Sequence, residues 1–234
     1  MKNDHSTDRN QLLARLPKTQ CERLLNQLKL VELDLGQILY EARAPIDYAY
    51  FPVEGSLSAV VVMSDGDMVE VATIGREGAI GLPAFIASET SPNRVIVQIE
   101  GKALRIEASL LAAESQRVEP LRQLLAQYHA AFLFQVSQSV ACNALHVLEK
   151  RCCRWLLLTH DRVDGDEIGL THEFLGVMLG VRRSSVTEVL QELQERKLLS
   201  YGRGKITILD RTGLEQAACE CYSLAKDEYR RLVG

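Results

Sequence analysis

At 234 residues the chain has room for two modest domains, and its 47% hydrophobic and 25% charged content is that of an ordinary soluble globular protein. The formal net charge of −4 runs against the basic footprint usual for nucleic-acid binding, so any such role has to rest on local charge. Met1–Gln20 is polar with no apolar leader core, and the longest apolar run, around Ala59–Met63, is far short of the ~20 residues of a membrane helix; a cytoplasmic protein with no membrane partner is expected.

The first segment, from about residue 8 to residue 30, reads as helical, with Leu12, Leu13, Leu16, Leu24, Leu25 and Leu28 broken by Pro17. From Val31 to about Glu107 short apolar runs alternate with turn signals at Gly36, Ala44-Pro45, Gly55, Asp65-Gly66, Gly75, Gly78, Gly81, Ser91-Pro92-Asn93 and Gly101, which predicts a β-sandwich or roll. Ser64-Asp65-Gly66-Asp67, between Ser58–Met63 and Met68–Ile74, predicts a hairpin.

Helical period returns near Ser109, and Pro120 stands near the start of a long helix running to about Cys142. Leu121, Leu125, Tyr128, Phe132, Gln135, Ser139 and Cys142 repeat alternately four and three residues apart, the pattern of a coiled-coil seam; a dimerisation helix using Leu121, Leu125, Tyr128 and Phe132 is expected, the alternative being a single helix that lies on its own β domain. A second helix is predicted from about Ala144 to His160, then a polar loop from Asp161 to Gly169. The domains expected are 1–118, 119–143 and 144–234.

Leu170–Leu209 reads as a winged helix-turn-helix. Thr171 caps a helix with Phe174, Leu175 and Met178 inward, and Leu179-Gly180-Val181 turns into a second helix running to about Lys197. That helix directs Val186, Val189, Leu190 and Leu193 inward and Arg183, Ser184, Thr187, Glu188 and Gln191 outward, side chains able to reach base edges or phosphates. Thr171, Arg182, Ser185 and the wing residues Arg203 and Lys205 complete the expected DNA contacts. From Val181 to Lys205 six basic residues face three acidic ones, so the local balance is positive. The last segment, Asp210–Gly234, reads as one helix lying on the DNA-binding domain or on a partner subunit.

In order along the chain, Leu33–Tyr40, Tyr48–Phe51, Gly55-Ser-Leu, Gly75-Arg-Glu-Gly78, Leu170-Thr171, Leu179–Arg183 and Val186 resemble the CRP/FNR superfamily of bacterial regulators, over about Leu24 to Gly213. The resemblance implies an α+β chain: an N-terminal double-stranded, cyclic-nucleotide-binding-like β-roll, a long dimerisation helix and a C-terminal winged helix-turn-helix. It also implies a homodimer on a pseudo-palindromic double-stranded DNA operator, RNA polymerase as a partner, and an unidentified small-molecule effector.

The effector pocket would involve Gly78, Ala79, Ile80, Gly81, Ser91, Asn93, Arg94 and Tyr128. Where cyclic-nucleotide-binding members place a glutamate and an arginine, this chain has Ala79 and Ser91, with Arg94 reachable only by a shifted loop; cyclic AMP is therefore not expected. Residues 31–118 hold no histidine or cysteine to ligate haem, and Cys21 alone makes no N-terminal iron–sulfur set. No cofactor or metal is expected, because Cys21, Cys142, Cys152, Cys153, Cys219 and Cys221 form no CxxC pair and Cys219-x-Cys221 is too small a set by itself. The recognition positions Arg183, Ser184 and Glu188 differ from the Arg, Glu and later Arg common in the family, which implies a different half-site. No catalytic motif occurs, so no catalytic residue is named. The alternative is a small-molecule or thiol-redox sensing module, with Cys142, Cys152 and Cys153, that acts through protein partners.

Overall fold

The computed structural model describes residues 9–83 and 89–234; the polar start at Met1–Asp8 lies outside the described residues. The leading segment is less helical than its leucines suggest. Among its described residues a 3-10 turn, Leu13–Arg15, precedes Pro17, and α1 covers Lys18–Leu25, because the fixed proline φ suits a helix entry and not an interior.

Among the described residues five strands follow: β1 (Lys29–Leu33), β2 (Ile38–Tyr40), β3 (Tyr48–Val62), β4 (Met68–Ile74) and β5 (Arg94–Glu107). All ladders are antiparallel, in the order β1-β5-β3-β4, with β2 also on β5. The long pair β3 and β5 shifts register between Pro52 and Leu57, where Gly55 has φ +76°, and a Cβ there would lie 2.4 Å from the Ile99 carbonyl oxygen. Only glycine lets two strands of this length bend around each other at that point, which turns the sheet into a roll. The expected Asp65-Gly66 hairpin joins β3 to β4, with Gly66 at φ +94°.

Helices α2 (Ala108–Arg117), α3 (Glu119–Leu145) and α4 (Leu148–His160) lead out of the roll. The joint between α3 and α4 falls at His146-Val147, three residues later than expected. Strand β6 (Glu167–Gly169) occupies the end of the segment read as a polar loop, and pairs with β8 through Ile168, which is buried. Then come α5 (His172–Leu179), α6 (Arg183–Glu195), β7 (Leu199–Gly202) and β8 (Lys205–Ile208). The C-terminal segment is two helices, α7 (Arg211–Ala217) and α8 (Cys221–Val233), because Ala218 is extended between them.

Two features correct the sequence reading. Helix α8 packs on α3 and the roll: Val233 joins Leu121, Leu124, Leu125 and Tyr128 in one apolar cluster, and the Tyr229 hydroxyl donates to the Glu77 carbonyl at 2.6 Å. The expected seam is therefore spent inside the protomer. Leu121 and Leu125 are 0% and 1% exposed, Tyr128 is 4% exposed, Phe132 is half-buried against Tyr128, and Gln135 donates to the Thr73 carbonyl. A second row on the other side of α3, Ala126, Ala130, Leu133, Ser137, Val140 and Ala144, has the same alternating spacing and is exposed throughout.

The roll and the C-terminal region share core. Val60 and Ile96 pack into the cluster of Trp155, Leu156, Met178 and Leu190. Arg162, buried, donates to Glu77 at 2.7 Å and to the Thr73 carbonyl at 3.2 Å, and also to the Leu158 carbonyl. The Glu77 carboxylate and the other facing acids outweigh burial, so its guanidinium is held above its ordinary range. Beneath it runs a buried polar chain: Ser58 lies 2.5 Å from Glu70 and 2.8 Å from Gln98 Oε1, and Gln98 Nε2 donates to Thr159 at 3.0 Å. No described helix is long and apolar enough to cross a membrane.

Candidate nucleic-acid interface

Helix α5 begins as its residues dictate: the Thr171 hydroxyl accepts from the Phe174 amide at 3.1 Å, and Glu173 stands in the first turn, where the helix dipole favours an anion. Gly180 ends it with φ +64°, and the Val181 amide donates back to the Gly176 carbonyl at 2.9 Å. Gly176 has a separate role that spacing does not reveal. A Cβ there would sit 2.9 Å from the Val181 oxygen, so it clears space for the turn.

From this turn α6 leaves with Arg182 as its N-cap. Val186, Leu190 and Leu193 are fully buried and Val189 nearly so, which fixes the rotation of the helix. Arg182, Arg183, Ser184, Glu188 and Gln191 are then exposed together, with Ser185 half-buried beside them. Thr187 is engaged inward: its hydroxyl donates to the Arg183 carbonyl at 3.0 Å and lies 2.9 Å from His172 Nδ1. The sequence reading missed His172. It stacks edge-on against Tyr201, with ring centroids 4.8 Å apart, and its pKa is lowered by burial and by Arg183.

The wing is a two-residue hairpin. Gly202 pairs with Lys205, and Arg203 and Gly204 both take positive φ, +51° and +77°. Arg203 is exposed at the tip, whereas Lys205 is paired with Glu167 at 2.6 Å. The start of α6 faces the β3–β4 hairpin across an open cleft of about 710 Å³ that reaches from Met63 to Arg183.

Comparison with known families fits this geometry. Residues 150–217 match the Crp-like helix-turn-helix domain and residues 30–117 match the cyclic nucleotide-binding domain. The chain belongs to the CRP/FNR superfamily. It is a DNA-binding transcription regulator of the CRP/FNR type. The transcriptional regulator SdrP of Thermus thermophilus is 27% identical over 180 residues, covering 74% of this chain and 85% of SdrP. FixK2 from Bradyrhizobium japonicum has the same fold, with a TM-score of 0.71 at 17% identity over 82% of this chain and 98% of its own. A solved CRP/FNR-family transcriptional regulator from Thermus thermophilus does so with a TM-score of 0.63 at 22% identity, over 81% of this chain and 98% of its own.

In this regulator the expected effector residues separate. Ala79, Ile80, Gly81, Ser91 and Asn93 do border one small cleft, of about 80 Å³, between the roll and α3. Gly78 and Tyr128 are elsewhere: the tyrosine ring packs so closely on the glycine that a Cβ would meet its hydroxyl at 2.1 Å. Arg94 is turned away, its Nε donating to Glu41 at 2.7 Å. Among the described residues lining the cleft there is no lysine or arginine.

A larger cleft of about 400 Å³ between α3, α4 and α8 does hold cations: Arg162 pairs with Glu77, Lys226 with Asp161, Arg230 with Asp227 and Arg76 with Asp164, and Arg15 lines it as well. All six cysteines are buried. Burial raises the Cys152 thiol far above its ordinary range and the Cys153 thiol to about 12, so neither is the exposed thiolate that a redox switch needs. Cys219 and Cys221, too small a set in the sequence, are joined in the fold by Cys142 and His146.

Proposed function

We propose that the protein acts as a homodimer that reads a pseudo-palindromic operator with α6 and grips phosphates with its wing, without cyclic AMP as its signal. The observation that carries the DNA reading is the outward face of α6. Arg182, Arg183, Ser184, Glu188 and Gln191 are exposed together at and beyond a helix start whose inward stripe is locked in the core. Arg183 is the bidentate reader of guanine, Glu188 accepts from cytosine N4, and Arg203 contacts phosphate. Thr187, tied inward, and Lys205, already paired, contribute less than their spacing implied.

The dimer forms along α3, through Ala126, Ala130, Leu133, Ser137, Val140 and Ala144. Small residues let two helices approach closely, with Leu133 and Val140 as the knobs. Cyclic AMP is set aside because an anionic phosphate needs a cation or several amides to replace its water, and the described lining of the small cleft holds no lysine or arginine. The effector is then an uncharged or weakly charged small molecule, and RNA polymerase is the expected protein partner.

Selection from random DNA tests this reading. A half-site repeated about one helical turn apart, with affinity falling steeply as salt rises, is expected. Binding with no sequence preference would overturn it, and so would micromolar affinity for cyclic AMP by calorimetry.

A further inference from the structure

The last turn of α3 and the link between α7 and α8 bring four metal-ligand side chains together. Cys142 and His146 are one helical turn apart, so both point the same way, and Cys219-x-Cys221 faces them. Their ligand atoms all lie within 4.8 Å of one another. Cys142 Sγ is 3.5 Å from Cys219 Sγ, and Cys221 Sγ is 3.7 Å from His146 Nδ1. Zinc bonds of about 2.3 Å to sulfur and about 2.0 Å to nitrogen put the edges of a tetrahedral site at about 3.5–3.8 Å. Both distances fall close to that edge before any ion pulls the ligands inward.

Two surrounding groups favour a metal over a plain thiol cluster. The other nitrogen of His146, Nε2, lies 3.4 Å from the Glu220 carboxylate, the outer-shell partner that orients a ligating imidazole and raises its basicity. Arg154 is buried at 5% exposure, its Nε has no hydrogen-bond partner, and its Nη1 reaches Ser139 only at 3.4 Å. A dication held by three thiolates and a neutral imidazole carries one net negative charge, a counter-charge for this buried guanidinium.

We propose that Cys142, His146, Cys219 and Cys221 form a closed Cys₃His site for zinc. Binding releases the thiol protons to solvent and needs no oxidant. With all four positions filled by protein, the ion has no place for water or substrate, so its role is structural. It ties the end of the dimer helix α3 to the start of α8, at the joint from which the DNA-binding domain hangs.

Metal analysis of the full-length chain, purified under reducing conditions, tests the site. One zinc per chain is expected. Cobalt(II) added to the metal-stripped chain is expected to give thiolate charge-transfer absorption and the visible bands of a tetrahedral ion. Cys219→Ser should abolish those bands and His146→Ala should shift them, whereas Cys153→Ser, outside the cluster, should leave them unchanged. His146→Ala removes a partly exposed side chain, so it remains readable if Cys219→Ser does not fold. Less than about one-tenth equivalent of zinc together with no cobalt bands would overturn the proposal. Cobalt bands identical in wild type and His146→Ala would also overturn it, as would a Cys142–Cys219 disulfide in metal-free protein.

Discussion

At the residue scale, Arg203 and Glu70 each sit at a local disadvantage that can be measured. Arg203 holds φ +51° in the wing turn, a conformation that costs a non-glycine residue about 1–2 kcal/mol. Arg203→Gly is therefore expected to raise thermal stability slightly while weakening DNA binding almost equally across sequences, with the salt slope falling by about one charge per subunit. A variant that binds as tightly as wild type at every salt concentration would remove the wing from the interface. Glu70 is fully enclosed, and burial raises its carboxyl against the opposing hydrogen bonds from Ser58 and Thr73. Ser58 and Thr73 both donate to Glu70, and the Ser58 hydroxyl also lies against Gln98 Oε1. With its carboxyl raised, Glu70 binds its proton more tightly in the native state than in the unfolded chain. This contribution to stability is complete below the ordinary carboxylate pKa of about 4.3 and is lost as pH rises through the raised native value. Glu70→Gln should flatten the decline in Tm as pH rises above the ordinary carboxylate range; the same slope in both proteins would contradict a raised Glu70 carboxyl.

At the element scale, α3 decides between two readings of one helix. It carries two heptad rows on different faces, and spacing alone cannot rank them. On spacing, Leu121, Leu125, Tyr128 and Phe132 read as the seam. The fold gives that row to the roll and α8 and leaves the smaller-residue row of Leu133 and Val140 exposed. Leu133→Glu with Val140→Glu is expected to give folded monomers by sedimentation and circular dichroism, whereas Leu125→Glu should unfold the protomer. A charged double variant that stays dimeric would place the seam elsewhere.

The same contrast shows what was legible. Local patterns sufficed for the Asp65-Gly66 hairpin, the Thr171 cap, the Gly180 turn and the inward stripe of α6, because each is written within one turn or one face. Non-local facts were not legible: Tyr128 closing on Gly78, Arg94 turning to Glu41, Thr187 held by His172, and two cysteines of the tail meeting Cys142. The break at Ala218 was missed because no proline or glycine marks it.

At the scale of the whole molecule, the sensor roll and the DNA-binding domain are joined through Arg162. The side chain is 8% exposed, and Glu77, its partner, sits in the Gly75-Arg-Glu-Gly78 turn of the roll. Arg162→Met removes a charged donor from Glu77 and from the Thr73 and Leu158 carbonyls, and leaving the Glu77 carboxylate without its cation is expected to cost about 3 kcal/mol of unfolding free energy. A loss under about 0.5 kcal/mol would mean that the pair behaves as a surface ion pair. Because α6 begins beside the β3–β4 hairpin and Val60 and Ile96 share core with it, a displacement of the roll is expected to be felt at α6 through this joint.

The central claim is that the exposed face of α6 reads base sequence. The most direct measurement is the affinity of wild type and Arg183→Ala for a selected operator and for variants of it at each base pair, at fixed salt. A loss of about 1–3 kcal/mol per half-site, with discrimination relaxed at one guanine and the dimer intact, is predicted. Unchanged affinity and unchanged discrimination at every position would contradict it.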